Sequence, residues 1–323
     1  MNPKGEIPAP LLIRLADIEA AAGRIAGRVR RTPVIDAAPL KDAPALGALR
    51  LKLECLQVTG SFKPRGATNK LLSLDEAQVR RGIITASGGN HGLAVAYAAR
   101  QAATRAVIYL PASTPRAKAA KLAAWGADVR VEGAVWDEAN EAALAAAAQE
   151  GLTYLHPFAD PAVIAGQGTV GLEILGDAPE TGLLLVAIGG GGLISGIATA
   201  VKALKPGIRV VGVEPTGAPT LKESLVAGRL VTLPAIETDA GTLAPRRSAE
   251  INLEIIARHV DEIVLVSDEE MRATARWLWF ELGIAAELSG AAALAALMTG
   301  RVEASAGTPI TALICGAGTD GLS

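Results

Sequence analysis

Apolar residues along this chain change their period several times, and the changes outline its elements. Over 14–30 they recur at helical spacing, with Asp17 as an early acid, and Thr32-Pro33 marks the end of that helix. Residues 48–53 form a short strand candidate. Pro64 opens a helix running to about 74, because proline fits a first helical turn where its missing N–H costs nothing, and Ser61 is positioned to cap it. From 82 onward a rhythm sets in. Short apolar runs at 82–85, 106–110, 127–131, 152–155, 183–188 and 210–213 read as strands. Helical patterns fill the spaces between them and end near 100, 125, 150, 175, 204 and 226. Parallel strands need long crossovers and helices on both faces, so this alternation predicts an α/β fold built on parallel sheets. Between 230 and 249 the rhythm breaks into Thr, Pro, Asp and Gly, which reads as a long functional loop. Beyond it, helices are expected over 251–258, 268–282 and 289–298, with strands over 262–266 and 310–314.

Composition narrows the function classes. Half of the 323 residues are hydrophobic, ample for a buried core, and the formal net charge is -2. That charge gives no electrostatic case for nucleic acid or an anionic membrane. Residues 1–10 hold polar residues and prolines without an apolar core, so no signal peptide is expected, and no stretch has the length of a membrane span. Cys55 and Cys315 lie in apolar runs and read as reduced thiols of a cytoplasmic protein. His91, His156 and His259 are scattered, so no metal-ligand cluster is expected.

Three stretches could carry chemistry. Lys63 lies in Thr59-Gly60-Ser61-Phe62-Lys63-Pro64-Arg65-Gly66-Ala67, at the mouth of a helix N-terminus. There the helix dipole and partial burial both disfavour its charge and favour a nucleophilic amine, the form that makes Schiff bases. A solvated surface lysine is the plain alternative. In Ser87-Gly88-Gly89-Asn90-His91-Gly92, a strand passes into a helix at the sheet edge where α/β folds bind ligands. The glycines let the backbone come close, Asn90 offers donor and acceptor, and His91 either titrates or packs. The third stretch, Gly189 to Gly192, follows a buried strand and opens a helix. Four bare N–H groups at a helix N-terminus suit a single phosphate, although a tight turn without ligand remains the alternative. Neither a P-loop nor a dinucleotide fingerprint is present. Cys315 ends the last strand and is either a reactive thiol or an inert buried one.

Taken in this order, these stretches resemble the fold type II pyridoxal-phosphate enzymes, and most of all the serine/threonine dehydratases and serine racemase. Lys52-Leu53-Glu54, Gln57 to Asn69, Pro161 to Thr169, the tetraglycine with Leu193, and Glu214-Pro215 extend the likeness over nearly the whole chain. The resemblance implies a two-lobed α/β fold like that of the tryptophan synthase beta chain. Its large domain would be 1–81 and 157–323, and its small domain 82–156. It implies pyridoxal 5'-phosphate as cofactor, with Lys63 as the Schiff-base lysine that also moves the substrate's Cα proton. Phe62 would flank the ring, Asn90 would meet its 3-hydroxyl, and Gly189, Gly190, Gly191, Gly192 and Leu193 would hold the phosphate. Cys315 would face the pyridine nitrogen, while Ser87, Gly88, Gly89 and His91 would shape the substrate carboxylate pocket.

The implied reaction is elimination of water from L-threonine or L-serine, giving 2-oxobutyrate or pyruvate and ammonia, in a cytoplasmic homodimer or higher homo-oligomer. Gly88 stands where racemases carry a second serine, so racemisation is expected to be weak. Thr220 replaces an acid of the relatives' cation site near Glu214, so no metal is expected. No regulatory domain after Cys315 is expected either. The alternatives are a lyase for 3-hydroxyaspartate or a phenylserine, a serine racemase, or a non-catalytic binder of a phosphate-bearing ligand.

Overall fold

The computed structural model describes residues 12–37 and 48–322, so the expectation for residues 1–10 lies outside the described residues. Helix α1 (Leu15–Ile25) buries Ile18, Ala21 and Ile25. It stops well before Thr32: Ala26 already leaves the helical region at ψ 131°, and Gly27 then turns the chain at φ +72°. Strands β1 (Val34–Asp36) and β2 (Leu49–Leu53) pair antiparallel. Two short 3-10 turns, Glu54–Leu56 and Val58–Gly60, then lead into α2 (Lys63–Leu72). A short helix α3 (Glu76–Arg81) follows, opened by a capping box of Asp75 and Gln78.

The regular alternation comes next: β3 (Ile83–Ala86), α4 (Asn90–Gln101), β4 (Ala106–Leu110), α5 (Arg116–Ala124), β5 (Asp128–Val131), α6 (Trp136–Glu150), β6 (Thr153–Tyr154) and α7 (Pro161–Asp177). After these come β7 (Leu183–Ala187), α8 (Gly192–Leu204), β8 (Arg209–Pro215) and α9 (Thr220–Ala227). The segment 228–249 contains only the 3-10 turn Gly241–Leu243. The chain then forms α10 (Glu250–His259), β9 (Glu262–Val266), α11 (Asp268–Leu282), α12 (Leu288–Met298) and β10 (Ile310–Ile314).

The strands sort into two sheets. One has six strands in the order β1-β2-β10-β7-β8-β9, all parallel except β1. The other has four parallel strands in the order β5-β4-β3-β6. Every residue of β3, β4, β7 and β10 is buried, which is why these strands read as unbroken apolar runs instead of alternating ones. The largest core forms around β7, β8 and β10 with α8 and α12. Each Leu or Ile buried there contributes about 1.5–3 kcal/mol. Helices α7 and α8 cross at glycines. A Cβ on Gly196 would stand 2.3 Å from the Ile164 carbonyl oxygen, so only glycine lets the two backbones approach so closely. That contact sets α8, and with it the tetraglycine turn, against the sheet edge.

Candidate active site

Lys63 is the first residue of α2, with Pro64 next to it in the first turn. Ser61 does not cap this helix. Its hydroxyl is buried without a partner among the described residues, and Phe62 is the cap residue, with no side-chain cap bond. The start of the helix is held by backbone instead. The Phe62 N–H donates to the Cys315 carbonyl at 3.2 Å and the Ala317 N–H to the Gly60 carbonyl at 2.7 Å. These bonds pin the lysine to the end of β10. Just upstream, Thr59 sits in the left-handed region at φ +63°, a conformation that costs a β-branched residue energy and persists only where its surroundings over-determine it. Farther along α2, Arg65 is buried and forks onto Glu54, with Nε to Oε2 at 2.8 Å and an Nη to Oε1 at 2.7 Å. Arg65 also bonds Glu173 at 2.6 Å, and Glu173 in turn accepts from buried Lys52 at 2.6 Å. Two cations and two carboxylates thus tie β2, α2 and α7 together directly under the lysine.

The Lys63 amine donates to the Pro157 carbonyl at 2.9 Å and lies 5.1 Å from the centre of the Phe62 ring. The residue is half-buried by accessible surface, but its nitrogen is deep enough for desolvation to push the pKa down to about 8, against the opposing pull of Cys315 and Glu287. Around it runs a narrow cleft. The cleft walls include every residue expected to touch a cofactor: Phe62, Lys63, Asn90, Gly189 to Gly192, Leu193 and Cys315.

Three helices begin at this cleft: α2 at Lys63, α4 at Asn90 and α8 at Gly192. Their N-termini make it electropositive and fit for an anion. The tetraglycine turn has no room for side chains. A Cβ on Gly190 would stand 2.2 Å from the Phe158 ring, and one on Gly189 2.8 Å from the Thr242 carbonyl oxygen. Gly191 adopts φ +90°, which excludes most other residues there.

The substrate-side expectations are placed less directly. Gly89 approaches Thr242 on the cleft wall, while a Cβ on Gly88 would press on the Thr114 methyl at 3.0 Å. Ser87 accepts a long bond from the Gly89 N–H at 3.3 Å. His91 is buried, its Nε2 is 3.0 Å from the Leu155 carbonyl, and burial pushes its pKa down to about 3. A ring so placed packs and does not titrate near neutrality, and it is not part of the cleft wall. Cys315 is equally inert, since burial drives its thiol pKa upward and Sγ rests 3.4 Å from the Ser289 carbonyl.

Sequence reading did not single out Glu287, which accepts from the Asn90 amide at 2.8 Å and from the Thr242 hydroxyl. Burial, reinforced by Asp320, raises its pKa to about 7. Gln167 also lines the cleft, and neither atom of its buried amide has a partner among the described residues. Glu214, at the end of β8, is buried and accepts the Leu221 and Lys222 N–H groups at 2.8 and 2.9 Å. No cluster of three potential metal ligands occurs among the described residues.

A buried amine of lowered pKa facing an anion cradle across one small cleft fits a phosphate-bearing aldehyde cofactor. Comparison with known proteins agrees. Residues 25–316 match the pyridoxal-phosphate-dependent enzyme family, and the chain belongs to that family. The chain is similar to an L-threonine ammonia-lyase of Thermotoga maritima, 39% identical over 287 residues that cover 89% of this chain and 71% of the relative. Among solved structures, maize serine racemase superposes with TM-score 0.89 at 34% identity, covering 94% of this chain and 93% of that one. The processed form of threonine deaminase isoform 2 from Solanum lycopersicum follows at TM-score 0.87 and 34% identity, covering 94% and 83%. The fold is therefore that of the type II pyridoxal-phosphate enzymes, with parallel sheets flanked by helices.

Proposed function

We propose that this enzyme removes water from L-threonine or L-serine, releasing 2-oxobutyrate or pyruvate and ammonia. The observation that carries the proposal is the depressed, desolvated Lys63 amine set across one cleft from the tetraglycine turn. Pyridoxal phosphate, when bound, supplies the electron sink that makes the substrate's Cα–H bond acidic. Lys63 anchors that cofactor and takes the Cα proton at Nζ, which a pKa near 8 allows close to neutral pH. Gly189 to Gly192 and Leu193 would hold the phosphate through backbone N–H groups, Phe62 would flank the ring, and Asn90 would orient it from the start of α4. Cys315 keeps its proton and would offer the ring nitrogen no strong acid, which favours elimination. Ser87, Gly88 and Gly89 shape the carboxylate end, with His91 as packing behind them.

The named relatives at 37–39% identity support a threonine preference. Gly88 argues against racemisation, because it has no side chain with which to deliver a proton to the opposite face of Cα. The β3–β6 unit, residues 82–156, acts as the smaller lobe over the cleft. A homodimer or higher homo-oligomer in the cytoplasm completes the reading. Light scattering on the purified enzyme should return a mass at least twice that of one chain, and a monomer would refute this part.

The deciding experiment is a panel of β-hydroxy amino acids with detection of 2-oxo acids, run on the wild type and on Lys63→Ala. Threonine or serine should yield 2-oxo acid with the wild type only, and the variant should lose the visible absorbance of the bound cofactor. Product from 3-hydroxyaspartate or a phenylserine alone would redirect the substrate assignment. Undiminished turnover by the variant would end the mechanism.

A further inference from the structure

The tetraglycine turn does not orient itself. Its Gly190 carbonyl accepts two side-chain hydrogen bonds, from Asn252 Nδ2 at 2.7 Å and from the Ser248 hydroxyl at 2.9 Å. Asn252 is fully buried in the first turn of α10, and the same Nδ2 donates to the Phe158 carbonyl at 3.0 Å. Ser248 closes the long loop that precedes α10. In a trans peptide the C=O and the following N–H point in opposite directions. With the Gly190 carbonyl held on the α10 side, the Gly191 N–H is turned the other way, toward the open cleft. Asn252 also walls the turn, since a Cβ on Gly191 would come within 3.1 Å of the Asn252 Cβ.

We infer that Asn252, assisted by Ser248, is a positioning residue that sets the anion affinity of the cradle. The inference rests on the reading of this site as a phosphate cradle and deepens it. Glycine peptides flip readily, because no Cβ penalises either orientation. A flipped Gly190–Gly191 peptide would aim its carbonyl oxygen at the anion and withdraw an N–H. The two side-chain donors make that flip costly, because it would take the acceptor from the Ser248 hydroxyl and from one of the two Asn252 amide N–H groups, the other keeping the Phe158 carbonyl. Asn252 is not part of the cleft wall and acts through the backbone. By bridging to Phe158 it also steadies the ring that fills the space beside Gly190. This gives the long glycine-, proline- and threonine-containing loop before α10 a function at its far end: it delivers Ser248 to the turn.

The test is binding to the apoenzyme, followed by visible absorbance, with two ligands that differ only in the phosphate: pyridoxal phosphate and pyridoxal. Asn252→Ala should weaken pyridoxal phosphate at least tenfold and leave pyridoxal within twofold. Ser248→Ala should show the same selectivity with a smaller, several-fold loss, and it decides the matter if Asn252→Ala fails to fold. Equal loss for both ligands would reveal a merely structural role and overturn the inference, as would no loss for either. A wild-type apoenzyme that does not prefer the phosphorylated ligand would instead bring down the cradle itself, and with it this inference.

Discussion

Glu287 shows how a single side chain can escape the sequence and still shape the site. It belongs to no motif, standing alone between an irregular stretch and α12, yet its carboxyl meets Asn90 from the other sheet's helix. Its folded-state pKa of about 7 lies above the ordinary 4.5, so the folded protein keeps a proton that the unfolded chain gives up. The stability this contributes is complete below pH 4.5 and is lost as pH rises through about 7. Glu287→Gln keeps an oxygen for Asn90 and removes the titration. The variant apoprotein should therefore lose less thermal stability than the wild type between pH 5 and pH 8, measured by calorimetry. An identical pH dependence in the two proteins would contradict the raised pKa. Lys63 is the opposite case. Its position before a helix-opening proline was legible in the sequence, but its degree of burial was not, because Pro157 and the tertiary fold supply it.

Elements were legible where burial made them uniform. The strands β4 and β10 follow their apolar runs residue for residue, because parallel strands covered on both faces tolerate few polar positions. The short pieces were not legible. Strand β1 spans three residues beside a proline, and α3 buries none of its side chains, so neither leaves a periodic signal. Nor did the sequence show why Arg65 and Glu54 recur near the lysine; their pairing is visible only once β2 and α2 are packed. Arg65 is 1% exposed and Glu54 0%, so losing the Glu54 charge leaves a buried guanidinium with Glu173 as its remaining carboxylate. Glu54→Gln should cost about 3–5 kcal/mol. In urea this should appear as a lower midpoint with an unchanged slope. A loss under about 1 kcal/mol would show that Glu173 alone suffices for Arg65.

For the whole molecule, the cleft lies where the two sheets' helices meet: Asn90 comes from the four-stranded unit, while Lys63, Gly189 to Gly192 and Cys315 come from the six-stranded one. A ligand held from both sides couples their unfolding. Adding pyridoxal phosphate to the apoenzyme should raise its melting temperature with concentration, by about 2.7 kcal/mol of stability at a hundredfold excess over Kd. Lys63→Ala should show a smaller rise, and equal shifts in both proteins would mean that the amine adds nothing to binding. The division of strands into two sheets could not be read from composition, since no linker separates them; it shows in the hydrogen-bonded strand order. Finally, Cys55 and Cys315 are both buried and free, with thiol pKa values driven upward by burial. Alkylating reagents at neutral pH thus find no thiolate in the intact enzyme, so label uptake would clock the opening of the core, and inactivation by such reagents would follow unfolding instead of preceding it.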